Sequence, residues 1–111
     1  MKREGPIRDV TKLDLLGRRQ DGGLDLGIVA AGPLDGSAQT LGLVEQKVRN
    51  YLREAISDEF RGEFEPEELR NITIRLESDF EIDPKVMALL GSLRREAMQL
   101  GIKLVVVQHP G

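Results

Sequence analysis

The stretch Asp83-Pro84-Lys85-Val86-Met87-Ala88-Leu89-Leu90-Gly91-Ser92-Leu93-Arg94-Arg95-Glu96-Ala97-Met98-Gln99-Leu100-Gly101-Ile102-Lys103-Leu104-Val105-Val106-Val107-Gln108 decides the fold. Asp83 can cap a helix, and Pro84 sits at the first helical position, where a missing N–H costs nothing. Val86, Leu89, Leu90, Leu93, Ala97 and Leu100 recur at the period of a helix with one buried stripe. Gly101 stands where a left-handed residue ends such a helix. The β-branched run Ile102 to Val107 that follows reads as a buried strand. A helix feeding a nearly continuous apolar strand is the second half of a β-α-β unit.

Upstream of this unit, Asn71-Ile72-Thr73-Ile74-Arg75-Leu76-Glu77 alternates strictly, sending Ile72, Ile74 and Leu76 to one side and Thr73, Arg75 and Glu77 to the other. A strand covered on both faces would be apolar throughout, so this one is expected to be covered on one face only. Before it, Leu41, Val44, Val48, Tyr51, Leu52, Ala55 and Ile56 form the apolar stripe of a helix that starts near Ser37. The acidic stretch from Ser57 to Arg70 is broken by Pro66, and Phe60 and Phe64 can either extend the helix or plug the core from a loop. At the front, a strand-like segment from Ile7 to Leu16 and a second one from Leu24 to Ala30 flank the turn residues Arg18 to Gly23, which predicts an antiparallel hairpin.

The element order is therefore ββαβαβ. The two crossovers should both be right-handed, which places the helices on the same side of a sheet growing in one direction. The expected architecture is an α/β (α+β) two-layer sandwich: a four-stranded mixed sheet with two helices on one face. Residues 1–6 are expected to be a disordered lead, 7–108 one domain and 109–111 a tail. Thr73, Arg75 and Glu77 then lie on an open face, joined either by Val105 and Val107 or by Leu104 and Val106, since both pairs cannot reach the helices. Apolar residues left on such a face mark it for a dimer contact, unless the Phe60–Pro66 segment or the lead shields it.

Composition narrows the function classes. With 111 residues the chain can bury a core without staples, and three Phe, one Tyr and no Trp make that core aliphatic. The absence of Cys removes disulfides, iron–sulfur clusters, thiolate zinc sites and a cysteine nucleophile. A net charge of −3 gives no general attraction to nucleic acid or anionic lipid. No apolar run approaches the ~20 residues of a membrane helix, and the N-terminus lacks the apolar region of a signal peptide, so a cytoplasmic location is expected.

Individual motifs add little chemistry. His109 is the lone histidine, expected to be an exposed tail residue with no partner to orient it as a base. Asp79, Glu81 and Asp83 alternate at the mouth of the last helix and could hold a divalent cation, but they lack the glycine and distal Glu of a calcium loop. Asp21-Gly22-Gly23 and Asp35-Gly36-Ser37 have neither the spacing nor the lysine of a phosphate loop. No serine carries a nucleophile elbow. Arg18-Arg19 and Arg94-Arg95 are the basic pairs, without the interleaved aromatics of a single-strand-binding surface. No catalytic residue, metal ligand or cofactor site is assigned.

Leu43-Val44-Glu45-Gln46-Lys47-Val48-Arg49-Asn50-Tyr51-Leu52 resembles, with Lys47 directly after Gln46, the L-x-x-Q-x-K-x-x-x-Y-L-type signature of a bacterial family of short proteins known only as a domain of unknown function. The resemblance extends over the N-terminal hairpin and the Gly101-Ile102-Lys103-Leu104 strand, and it implies the same fold. Members often carry an Asp-His-Leu-x-x-Trp-like stretch before the first helix, where this chain reads Ala30-Ala31-Gly32-Pro33-Leu34-Asp35, so any activity of that stretch is not implied here. The segment from Ile82 to Val107 is also similar in rhythm to the sulfate-transporter and anti-sigma-factor antagonist fold, with Pro84 and Lys85 where that fold has its phosphorylatable Ser.

These readings lead to a non-enzymatic interaction domain acting through its open sheet face or an edge strand, whose partner is a protein, either another protein or a second copy in a homodimer. The candidate contact residues are Gln46, Lys47, Asn50 and Tyr51 on the first helix and Thr73, Arg75, Glu77, Val105 and Val107 on the sheet. On the helix, the plainer expectation is that Tyr51 packs on the sheet while Lys47 and Asn50 face water. A ligand- or metal-binding protein or enzyme using the Asp79–Asp83 loop is the alternative, and nucleic-acid binding through Arg18, Arg19, Arg94 and Arg95 a weaker one.

Overall fold

The computed structural model describes residues 6, 7, 9, 10 and 13–109. The expected disordered lead lies almost wholly outside the described residues. A four-stranded sheet is built from β1 (Leu15–Arg18), β2 (Leu24–Val29), β3 (Ile72–Ser78) and β4 (Lys103–Gln108), in the spatial order β1-β2-β3-β4. β1 pairs antiparallel with β2, while β2–β3 and β3–β4 are parallel, so the mixed sheet and the element order agree with the pattern read from the residues.

Two long helices make the second layer, α1 (Ala38–Ala55) and α4 (Pro84–Gln99). Each starts where its side-chain cap begins: Ser37 accepts the N–H of Thr40 at 3.2 Å, and Asp83 accepts that of Lys85 at 2.8 Å. α4 gives way to β4 at Gly101, which adopts φ +75°, a conformation open to glycine and strained for other residues. The helices lie side by side and are joined by Arg49 Nη1 to Glu96 Oε1 at 3.0 Å. Between these helices and the sheet sits an aliphatic core that includes Leu24, Leu26 and Ile28 of β2, Ile72, Ile74 and Leu76 of β3, Val44 and Val48 of α1, and Val86, Leu90, Leu93 and Ala97 of α4.

Two short helices, α2 (Asp58–Arg61) and α3 (Pro66–Leu69), fill the acidic stretch. Phe60 plugs the core from α2 and meets Phe64 with ring centroids 4.7 Å apart. Arg18 stacks over Phe64 and bonds Glu68 of α3 at 2.7 Å. The register Arg18–Leu24–Ile72 puts that contact on the helix side of the sheet, so this segment does not shield the opposite face. Among the described residues, no helix is long and apolar enough to cross a membrane.

The first strand is shorter than the residue pattern indicates. It starts at Leu15, and Ile7 makes only an isolated bridge to Ala30. A side chain from α1 meets the start of the strand: the N–H of Asp14 donates to Tyr51 Oη at 2.6 Å, and Tyr51 Oη donates to the carbonyl of Gly27 at 2.6 Å. One hydroxyl thus ties the residue before β1 to the Gly27 carbonyl of β2 at the end of the ladder.

Candidate functional site

Register aligns the helix-free face in rows. Leu15, Gly27, Arg75 and Val105 form one row, Val29, Glu77 and Val107 the next, and Gly17, Asp25, Thr73 and Lys103 the row on the other side. The pair from the last strand that reaches the open face is therefore Val105 and Val107, with Leu104 buried on the helix side. Leu15 is 53% exposed and lies across Gly27, where an added Cβ would sit 3.1 Å from the Leu15 Cβ. Glycine there lets the leucine lie flat on the sheet. Val29 on β2 and, beyond Arg75 and Glu77, Val105 and Val107 on β4 are half-buried on the same face.

The two ends of this face differ. At one end Arg19 folds over the sheet: its Nη1 donates to Asp25 Oδ1 at 2.6 Å, to Thr73 Oγ1 at 2.9 Å and to the Leu24 carbonyl at 3.1 Å, and its Nη2 donates to the Asn71 carbonyl at 3.0 Å. Thr73 is buried and engaged there. The other end is open, a cleft of about 270 Å³ bounded by Leu15, Val29, Ala30, Glu77, Asp79 and His109. His109 is held as well as exposed: its N–H donates to the Ser78 carbonyl at 2.8 Å and its Nε2 lies 3.2 Å from Glu77 Oε1.

The candidate residues on α1 are placed differently from those on the sheet. Gln46 is exposed and Asn50 half-buried, but Lys47 is 0% and Tyr51 1% exposed. Lys47 Nζ donates to Asp14 Oδ1 at 2.8 Å and to the Asp9 carbonyl at 2.6 Å, and it sits 5.6 Å from the Tyr51 ring centroid. Asp14 Oδ2 accepts the N–H of Val29 at 3.1 Å, which ties the same carboxylate to β2. Asn50 donates to the Val10 carbonyl at 2.8 Å. Burial pushes the Tyr51 hydroxyl up to about 12. Lys47, Asn50 and Tyr51 therefore clamp the segment before β1 onto α1; in particular, Lys47 does not face water.

That clamp borders a cleft of about 520 Å³ lined by Val10, Leu13, Asn50, Tyr51, Arg53, Glu54 and Ser57. Residue patterning gave no sign of it, because it depends on where the segment before β1 runs.

At the carboxyl ends of the parallel strands, the 79–83 loop bridges to the loop after β2. The Leu34 N–H donates to the Glu81 carbonyl at 3.0 Å, and the Asp83 N–H to the Leu34 carbonyl at 2.8 Å. A cleft of about 310 Å³ opens here beside Asp35, Glu81, Asp83 and Gln108. Asp83 is occupied as the α4 cap, and Asp35 is held below the usual carboxylate range by the Ser37 hydroxyl, with Thr40 and the Ser37 N–H adding to it. Among the described residues, no three His, Cys, Asp or Glu side chains come together as a metal site.

The four arginines expected to carry nucleic-acid binding are engaged within the chain. Arg18 bonds Glu68, Arg19 bonds Asp25 and Asp21, Arg94 Nε donates to the Leu104 carbonyl at 3.2 Å, and Arg95 donates to Ser92 at 3.3 Å. No family model, no curated protein and no solved structure matches the chain.

Proposed function

We propose that this chain is a protein-interaction module of the cytoplasm that binds a partner on the helix-free face of its sheet and catalyses no reaction of its own. The observation that carries the reading is Leu15, more than half exposed on Gly27 beside Val29 of β2, with Val105 and Val107 on the far edge strand of the same face. Arg75 and Glu77 stand among these apolar side chains, next to each other in the direction of β3 but one row apart. The partner that fits is a protein surface with an apolar centre, a carboxylate for Arg75 and a base for Glu77.

The test uses matched variants. A protein retained by the wild-type chain is expected to be released by Leu15→Glu and by Val105→Glu, and still held by Arg53→Glu on the helix layer. Equal retention by all three variants overturns the reading. So does a large thermal stabilisation by a metal ion or nucleotide, which would move the function to the cleft beside Glu81 and Asp83.

A further inference from the structure

Beyond the exposed Lys103 at its start, the outer edge of β4 lacks the devices that usually guard a sheet edge. His109 donates its N–H to Ser78 of β3, so the odd-numbered residues of β4 turn their backbone groups inward and Leu104, Val106 and Gln108 turn theirs outward. Arg94 takes the Leu104 carbonyl. The N–H and C=O groups of Val106 and Gln108 have no partner among the described residues. No proline, bulge or inward-pointing charge interrupts the strand.

Apart from the bond of Arg94 to Leu104, the flank of α4 beside this edge is exposed among the described residues. Val86, Leu90, Leu93 and Ala97 face the sheet, and Glu96 reaches α1 on one side. On the other side, at helical spacing with Arg94, lie Met87, Gly91 and Met98. The two methionines are 44% and 65% exposed, and a Cβ added at Gly91 would meet nothing within 4 Å. At the start of this flank, Met87 and Gly91 form an apolar turn where the glycine lets a second helix approach closely.

We infer that a second copy of the chain completes this edge: β4 pairs antiparallel with β4 of the other copy about a two-fold axis beside Val107, forming a continuous eight-stranded sheet with the α4 helices abreast along Met87 and Gly91. In this register Val106 of each copy bonds Gln108 of the other, which uses the four unpaired groups of each pair and leaves Arg94 in place. Residue 110 is a proline and has no N–H to compete for the Leu104 carbonyl. Charge favours the two-fold over a parallel arrangement. Lys103 begins the strand and the Glu77–His109 pair stands beside its end, so antiparallel pairing turns the lysine of each copy toward the acidic end of the other. This surface is distinct from the open face, and the two proposals stand or fall separately.

Sedimentation equilibrium across the micromolar to millimolar range tests it, with circular dichroism as the check on folding. Wild type is expected to dimerise. Val106→Pro, which removes an outward N–H, and Met87→Glu, which charges the helix seam, should each weaken self-association about 30-fold or more, while Leu15→Glu leaves it intact. If Val106→Pro unfolds, Met87→Glu decides. A wild-type chain that stays monomeric throughout, a dimer that survives both edge variants, or a dimer lost only in Leu15→Glu overturns the inference, the last in favour of self-association through the open face.

Discussion

Replacing Tyr51 by Phe removes a single oxygen and keeps the ring, so its effect isolates the hydroxyl that ties the residue before β1 to β2. That oxygen accepts from Asp14 N–H and donates to the Gly27 carbonyl, each at 2.6 Å, in a residue that is 1% exposed. Phenylalanine leaves both backbone groups without this partner. An unsatisfied buried polar group costs about 1–3 kcal/mol; Asp14 N–H becomes one, the Gly27 carbonyl keeps its ladder partner Leu15, and losing the hydroxyl's own desolvation returns part, so the net loss is about 1–3 kcal/mol. Domains of this size are stable by about 5–15 kcal/mol, so the loss is a large fraction of the total. Urea melts at neutral pH should show a lower midpoint.

The same hydroxyl gives an alkaline signature. Burial raises it from 10.0 to about 12, so its protonated form is favoured in the fold. Its contribution is complete below the unfolded value and is lost as pH rises through about 12. A two-unit shift corresponds to about 3 kcal/mol. Wild type should lose roughly that much stability over this alkaline range, and Tyr51→Phe should lose clearly less. A variant within about 0.5 kcal/mol of wild type, or one with the same alkaline slope, would refute the relay.

Lys47→Met leaves the Asp14 carboxylate, 10% exposed, without its cation and should cost about 3–5 kcal/mol; adding Asp14→Asn should recover part of it, and additive losses in the double-mutant cycle would show that the two do not interact. Gly101→Ala should cost about 1 kcal/mol in a thermal melt because alanine must adopt φ +75°; an unchanged melt would mean that the helix end rearranges freely. The Glu65 N–H and then Arg18 hold the Glu68 carboxylate below its ordinary range, and the Gly23 N–H and then Arg19 do so for Asp21. Both lowered groups contribute stability above the ordinary carboxylate pKa that fades as pH falls through their folded values, so Glu68→Gln and Asp21→Asn should each flatten acid denaturation; curves parallel to wild type would count against both ion pairs.

What could be read in the residues alone follows from how far each determinant lies along the chain. The strict alternation of β3 and the span of α4 from Asp83-Pro84 to Gly101 rest on neighbours within a turn, and the structure has them where the pattern put them. The faces of β4 needed one more step. Leu104, Val105, Val106 and Val107 are all apolar, and only the register Ile74–Leu104 and Arg75–Val105 assigns them. The start of β1 was out of reach, because Tyr51 and Lys47, 37 and 33 positions away from Asp14, decide it. Seen on a helical wheel, Lys47 reads as a solvated lysine; its burial depends on where Asp9 and Asp14 lie. Arg19 misleads in the same way, reading as a turn-tip charge while it bonds across β2 and β3. The consequence for function runs against residue type. Several polar side chains that look available for a partner, Lys47, Tyr51, Arg19 and Thr73, are committed inside the fold, whereas the apolar Leu15, Val105, Val107 and Met87 are left at the surface. A scan for contacts should therefore begin at those apolar positions, because a charge introduced there changes a surface without breaking the bonds that hold the chain together.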